Sequence, residues 1–268
     1  MEKTKVLYVM QEIAPYVKDN PISLIGRHLP QGIQERGKEI RTFMPKYGNI
    51  NERRNQLHEV IRLSGMNLII DDHDHPLIIK VASIQQARMQ VYFIDNEDYF
   101  HRKAVFRDKN GLFFEDNDER LIFFARGVIE TVRKLGWPPD VIHCHGWFTG
   151  LVPLYIKKAF KDNPLFSYST VIYTIYDDAF NESLSPDLTK KLKFDKIRET
   201  DLKNYRNPNY MKLIKAAIKY SDAFVIGSEK INPEIEEFAR ATEKPLLEYQ
   251  GVDNYIDAFN NFYDSLLN

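Results

Sequence analysis

Cysteine is almost missing from this sequence of 268 residues. Cys144 is the only one, so no internal disulfide can form, and the fold must rest on its core alone. That usage fits a reducing compartment. Long apolar runs are missing too. Val6 to Met10 is too short for a signal-peptide core, and no stretch approaches a membrane span. The expected location is the cytoplasm, away from membranes. Neither sign of charge is in excess: 37 Lys and Arg face 38 Asp and Glu, for a net charge of −1. No global field therefore draws nucleic acid or anionic lipid to the chain. Internal repeats and low-complexity tracts are also lacking. What is present, 43% hydrophobic and 28% charged residues, is ordinary globular composition, enough to bury a sizeable core.

The apolar pattern alternates between strand-like and helix-like segments. Lys5 to Met10 reads as a buried parallel strand. Pro21 opens a helix with Leu24, Ile25, His28 and Leu29 on one face, and Gly37 ends it. Glu39 to Met44 follows as a strand closed by Pro45, giving a βαβ unit. The runs 57–63, 66–70, 76–84 and 89–94 are short and β-like, as expected of a hairpin insertion on the sheet edge. Asp95 to Glu115 reads as a loop, and Asn117 to Leu135 as an amphipathic helix with Asn117 as its N-cap. Strands are then predicted at 141–144, 170–175 and 223–226, and helices at 148–160, 208–220, 233–241 and 258–267. The last should bury Phe259, Phe262, Leu266 and Leu267. The charged stretch 190–206 reads as mobile. The alternation predicts one α/β, Rossmann-like domain over residues 1–268. Its sheet is mostly parallel, with helices on both faces and a β-hairpin insertion.

Ligands of such sheets bind at the carboxyl ends of the strands. The loops of interest are therefore 11–20, 143–150, 176–181 and 227–231. His143 and His145 share one strand face, as metal ligands or as satisfied strand-end histidines, and nothing else completes a ligand set. Asp71-Asp72-His73-Asp74-His75 looks like a chelator, but its flanking apolar runs make it a hairpin turn. Lys18 is either an anion ligand or a solvated loop lysine. Trp147, Phe148, Tyr176 and Phe180 can stack on sugar rings or simply pack. Arg120 can orient a loop of the cleft.

Four segments in order resemble the glycogen/starch synthases of glycosyltransferase family 5. They are Glu12 to Lys18 with Leu29-Pro30; Met44 to Gly48; Asp95-Asn96 with Tyr99-Phe100, Arg102 and Asn117 to Arg120; and Asp140 to Tyr155. Weaker echoes stand at 173–176 and 215–222, so the match runs over roughly residues 3 to 235. The resemblance implies the N-terminal half of a GT-B glycosyltransferase, with the C-terminal nucleotide-binding domain absent. Such enzymes move glucose from a nucleotide sugar such as ADP-glucose to an α-1,4-glucan, without metal or other cofactor. It also implies substrate or nucleotide contacts at Lys18, His145, Trp147, Tyr176 and Asp177, with Asn96, Arg102 and Arg120 supporting the cleft.

The sequence departs from the family pattern at the chemistry. Where the family has Lys-x-Gly-Gly facing the diphosphate, this chain keeps Lys18 but has Asn20 and Pro21. Proline removes a donor and fixes φ, which argues against a backbone phosphate cradle. Where the family has His-x-His-Asp-Trp-His, Gly146 replaces the aspartate and Phe148 the last histidine. Tyr176 stands where a histidine beside the reacting glucose is expected. Each lost preorganised polar group costs roughly 10²–10³ in rate. The expectation is a pseudoenzyme that binds glucan or regulates glycogen metabolism. The alternatives are half of a split glucosyltransferase, or an interaction domain whose partner, or second copy, covers an apolar face.

Overall fold

Seven parallel strands form the centre of the sheet in the computed structural model, which describes residues 3–267. In chain order the strands are β1 (Lys5–Met10), β2 (Glu39–Pro45), β3 (His58–Glu59), β4 (Met66–Ile70), β5 (His73–Ile84), β6 (Met89–Asp95), β7 (Val141–His145), β8 (Thr170–Ile175), β9 (Ala223–Ile226) and β10 (Leu246–Leu247). They are ordered β10-β9-β8-β7-β1-β2-β6-β5-β3, with β4 paired to β5. β5 runs antiparallel to β6, β4 and β3. Val6 to Met10 are fully buried, as a central strand covered on both faces requires.

The α/β alternation expected from the sequence is present, with corrections in detail. β6 pairs parallel with β2 and so belongs to the main sheet; only β3, β4 and β5 form the edge insertion. The β4–β5 hairpin turns at Asp71 and Asp72, both at positive φ (45° and 65°), so the acidic histidine-rich stretch is a tight turn. The Pro21–Glu35 helix buries Ile22, Gly26, Leu29, Pro30 and Ile33, whereas Leu24 and His28 face outward. Gly26 sets that rotation, because a Cβ there would stand 2.7 Å from the Glu12 carbonyl oxygen. No continuous helix spans 148–160. Gly150 and Pro153 break it into a 3₁₀ turn (Trp147–Thr149), a helical turn (Val152–Leu154) and a π-turn (Tyr155–Ala159).

The 190–206 stretch is packed rather than loose. Leu192, Leu202 and Tyr205 are buried, and Lys191 pairs with Asp118 (2.8 Å) and Glu119 (2.6 Å). Asp116, not Asn117, is the N-cap of the Asn117–Leu135 helix; the Asn117 amide instead donates to the Phe106 carbonyl (3.0 Å). The Tyr255–Leu267 helix buries Tyr255, Phe259 and Tyr263, at i, i+4 and i+8, while Leu267 is exposed. Among the described residues, no helix is long and apolar enough to cross a membrane.

Candidate functional site at the carboxyl ends of the strands

β1 is flanked by β2 on one side and β7 on the other. The connection from β1 runs to β2 and that from β7 to β8, in opposite directions, and the crevice forms between β1 and β7 where they diverge. Gln11, just past β1, closes the base of that crevice. Its backbone N–H donates to the His145 carbonyl (3.0 Å), and its side-chain oxygen accepts from the Phe148 N–H (3.0 Å). Gly146 has φ +85° and ψ 159°, a region open in practice only to glycine. A Cβ there would lie 2.7 Å from Gln11 Oε1. Gly146 is thus required by the local backbone.

The helix N-terminus that faces a phosphate in nucleotide-binding folds is occupied by its own sequence. Asn20 Oδ1 accepts from the Ser23 N–H (2.9 Å), and Ser23 Oγ accepts from the Asn20 N–H (2.9 Å). This is a reciprocal capping box, and Pro21 contributes no donor. The Asn20 side-chain N–H₂ also donates to Glu12 Oε2 (3.0 Å). Burial raises the Glu12 carboxyl above its ordinary range, opposed by that hydrogen bond. Lys18 is exposed and forms no ion pair among the described residues.

The two histidines of β7 are fully buried on one face, 4.0 Å apart between ring centres. His143 Nδ1 lies 2.7 Å from Tyr263 Oη, and its Nε2 lies 2.7 Å from Thr174 Oγ1. His145 Nδ1 lies 2.8 Å from Tyr176 Oη, and its Nε2 has no partner. Desolvation pushes His143 well below the usual imidazole range and His145 down to about 3. Both are neutral polar struts between strands and helix. Among the described residues, no group of three or more His, Cys, Asp or Glu converges on a point where a metal ion could sit.

The aromatic residues form a continuous cluster. Trp147 is 3% exposed, with Phe106 at 4.6 Å and Phe180 at 4.7 Å between ring centres. Phe148, Tyr176 and Phe180 are also buried, so none presents a ring face to a ligand. Arg107 locks the cluster by pairing with Glu182 across the two loops that cover it (Nη2–Oε2 2.8 Å). The expected support residues lie beneath. Asn96 caps the Glu97–Phe100 turn and donates to the Pro76 carbonyl. Arg102 grips both oxygens of Asp116 (2.9 and 2.6 Å). Arg120, fully buried, donates to the Tyr99 carbonyl (2.8 Å) and to Asn117 Oδ1 (2.6 Å). Desolvation brings its guanidinium down to about 10.

Several residues of this region escaped the sequence reading. Of the acidic pair after β8, Asp177 is exposed and bonds through its N–H to Ser228 Oγ (3.0 Å). Asp178 turns inward, accepting from the Trp147 N–H (2.9 Å) and the Tyr210 hydroxyl (2.8 Å). Desolvation raises its carboxyl to about 6. The pair was visible in sequence, but nothing there said which member faces in. The third contribution comes from the far end of the chain. Tyr249, Gln250, Gly251, Tyr255 and Phe259 lie over Tyr176, Ile226 and Gly227, leaving about 20 Å³ of free space between them. That volume holds about one water molecule and no sugar ring.

Residues 5–248 match the family model described as the starch synthase catalytic domain. Glycogen synthase of Chlorobium limicola is 41% identical over 174 residues, covering 65% of this chain and 36% of that protein. Glycogen synthase of Chlorobaculum tepidum is 33% identical and matches 98% of this chain and 52% of its own length. That of Pelodictyon phaeoclathratiforme is 30% identical, with 98% and 55% covered. The chain thus spans about half the length, or less, of these curated relatives. In fold it is similar to the catalytic domain of starch synthase IV from Arabidopsis thaliana bound to ADP and acarbose. That superposition has a TM-score of 0.71 at 17% identity, over 92% of this chain and 51% of that one. The fold is therefore that of one half of a GT-B catalytic domain.

Proposed function

The chain belongs to the starch synthase catalytic domain family, and from that premise we propose that it is a cytoplasmic, regulatory homologue of glycogen synthases without glucosyl transfer of its own. One observation carries this reading: the crevice at the strand ends is covered by Tyr249, Gln250, Gly251, Tyr255 and Phe259, leaving about 20 Å³. The self-capped helix at Asn20 and the Gly146–Gln11 contact support it. A diphosphate approaching Lys18 meets no free cradle of N–H groups and a carboxylate at Glu12. Of the two roles left to such a chain, glucan binding and regulation, the burial of Trp147 and its neighbours favours regulation through a protein partner or a second copy.

The test is glucose transfer from ADP-glucose and from UDP-glucose to glycogen, with a full-length synthase as positive control. We expect no transfer above background. Transfer that disappears in Tyr176→Phe or Lys18→Ala would overturn the reading. A second reading, half of a split glucosyltransferase, is favoured by the match of residues 5–248 to the catalytic-domain family model. It requires that adding a separate nucleotide-binding half restores transfer, and that Lys18→Ala then abolishes it.

A further inference from the structure

At the opposite end of the sheet, where β2 and β6 begin, lies a cleft of about 660 Å³. That is within the range of small-molecule sites, roughly 300–1,000 Å³. Among the described residues, Lys3, Lys38, Arg41 and Arg88 line it, against a single acid, Glu39. The Glu39 carboxylate is already engaged, accepting from Trp137 Nε1 at 2.5 Å. Lys38 is anchored by Asn260 Oδ1 (2.8 Å) and Asp264 (2.7 Å). Lys3, Arg41 and Arg88 pair with no carboxylate among the described residues, so the cleft carries a local positive surplus in a chain of net charge −1.

Arg41 is held in place without being neutralised. Its Nη1 donates to Tyr92 Oη (2.7 Å), and its guanidinium carbon lies 5.1 Å from the Trp137 ring centre and 5.8 Å from that of Tyr92. Nη1 makes its only side-chain hydrogen bond among the described residues, so Nη2 keeps its donors, while Nε is buried out of a ligand's reach. A guanidinium fixed on aromatic faces with unused donors is preorganised for an oxyanion, because its planar fork matches two oxygens at once. Three unpaired cations suit a dianion better than a single carboxylate. Ser83 and Gln90 on the same wall offer neutral hydrogen-bonding groups for hydroxyls.

We propose that this cleft binds a phosphate dianion, free or carried on a small sugar. The site is independent of the function argued above, since it shares no lining residue with the crevice at the other end of the strands.

The test is isothermal titration of the full chain with inorganic phosphate and, separately, with glucose 1-phosphate. We expect saturable binding at one site, with Kd between roughly 0.01 and 1 mM. Binding should weaken as salt rises. Lys3→Glu combined with Arg88→Glu changes two exposed, unpaired residues and should leave the circular dichroism spectrum intact. That variant should bind at least about tenfold more weakly. Tighter binding of glucose 1-phosphate than of phosphate identifies a sugar phosphate as the ligand, and the reverse order identifies free phosphate. The proposal fails if neither saturates by roughly 10 mM, or if the folded double variant binds as well as the parent.

Discussion

Gln11 fills the space that a side chain at residue 146 would need, with its Oε1 2.7 Å and its Cβ 2.8 Å from where a Cβ on Gly146 would stand. The contact turns an apparent loss into a local requirement. Restoring the family's aspartate by Gly146→Asp should therefore not restore transfer. It should strain a backbone at φ +85° and displace Gln11, which also holds the Phe148 N–H. We expect a loss of about 1–3 kcal/mol in stability, read as a lower urea midpoint. Gly146→Ala should lose a similar amount, because the strain belongs to the backbone and not to the charge.

The buried titratable groups of the site oppose one another in acid. His145 is held down to about 3 in the folded chain, against about 6.5 when unfolded. Its contribution is present above the unfolded value and is lost as pH falls below 6.5. Asp178 is raised to about 6. Its contribution is present below the ordinary carboxylate range and is lost as pH rises through about 6. A full proton difference changes stability by about 1.4 kcal/mol per pH unit. His145→Gln should therefore flatten the fall in urea midpoint between pH 6.5 and 5. Asp178→Asn should remove a decline between about pH 4 and 6, making the net acid sensitivity steeper. A His145→Gln profile parallel to the parent's would refute the first assignment.

The sheet is legible in the sequence because parallel strands announce themselves as short apolar runs. The Asn117–Leu135 helix is legible because helical periodicity over five turns is hard to mistake. The sequence is ambiguous where tertiary contacts choose among equivalent options. The outward rotation of Leu24 depends on Gly26 touching the Glu12 carbonyl, and the inward turn of Asp178 depends on Tyr210. Neither neighbour is close in sequence. Along Tyr255–Leu267, Phe259, Phe262 and Leu266 pack against the core as the pattern predicts, whereas Leu267 is exposed and Tyr255 and Tyr263 are buried, because tyrosine can be buried by its hydroxyl partners as readily as leucine by its carbons. The closing of the crevice by Tyr249 to Phe259 brings together segments more than two hundred residues apart, from Ile25 to Tyr249, which no local pattern encodes.

Arg120 is a buried cation whose hydrogen-bond partners are a carbonyl and an amide, with Phe100, Phe114 and Phe148 around it. Arg120→Ala would leave Asn117 Oδ1 unpaired, leave the Tyr99 carbonyl with only its longer bond from Arg102 (3.3 Å), and open a cavity among those rings. The expected cost is roughly 3–5 kcal/mol, from lost packing and an unsatisfied acceptor together. Arg120→Lys keeps the charge but lacks the fork that reaches Tyr99 and Asn117 at once, so it should recover less than half of the loss. Thermal unfolding of the two variants decides this, and equal stability of Arg120→Ala and the parent would remove Arg120 as the organiser of the 97–116 loop.

One buried hydroxyl of the last helix bonds directly to two strands of the sheet. Tyr263 Oη lies 2.7 Å from His143 Nδ1 and 3.2 Å from Tyr8 Oη, all fully buried. Tyr263→Phe keeps the ring in place and withdraws the hydroxyl, leaving a histidine nitrogen and a tyrosine hydroxyl facing each other's empty partner. An orphaned buried group costs about 1–3 kcal/mol. The parallel deletion Tyr8→Phe removes only the longer of the two bonds and should cost less. Because Tyr255 and Phe259 of the same helix cover Tyr176, loosening the helix should also raise hydrogen exchange in the 249–259 segment that closes the crevice. Exchange mass spectrometry on Tyr263→Phe measures both effects at once. Faster exchange at 249–259, with 21–35 unchanged, would mean that the cover can open while its platform stays folded. Uniform acceleration would mean that cover and core unfold as one unit.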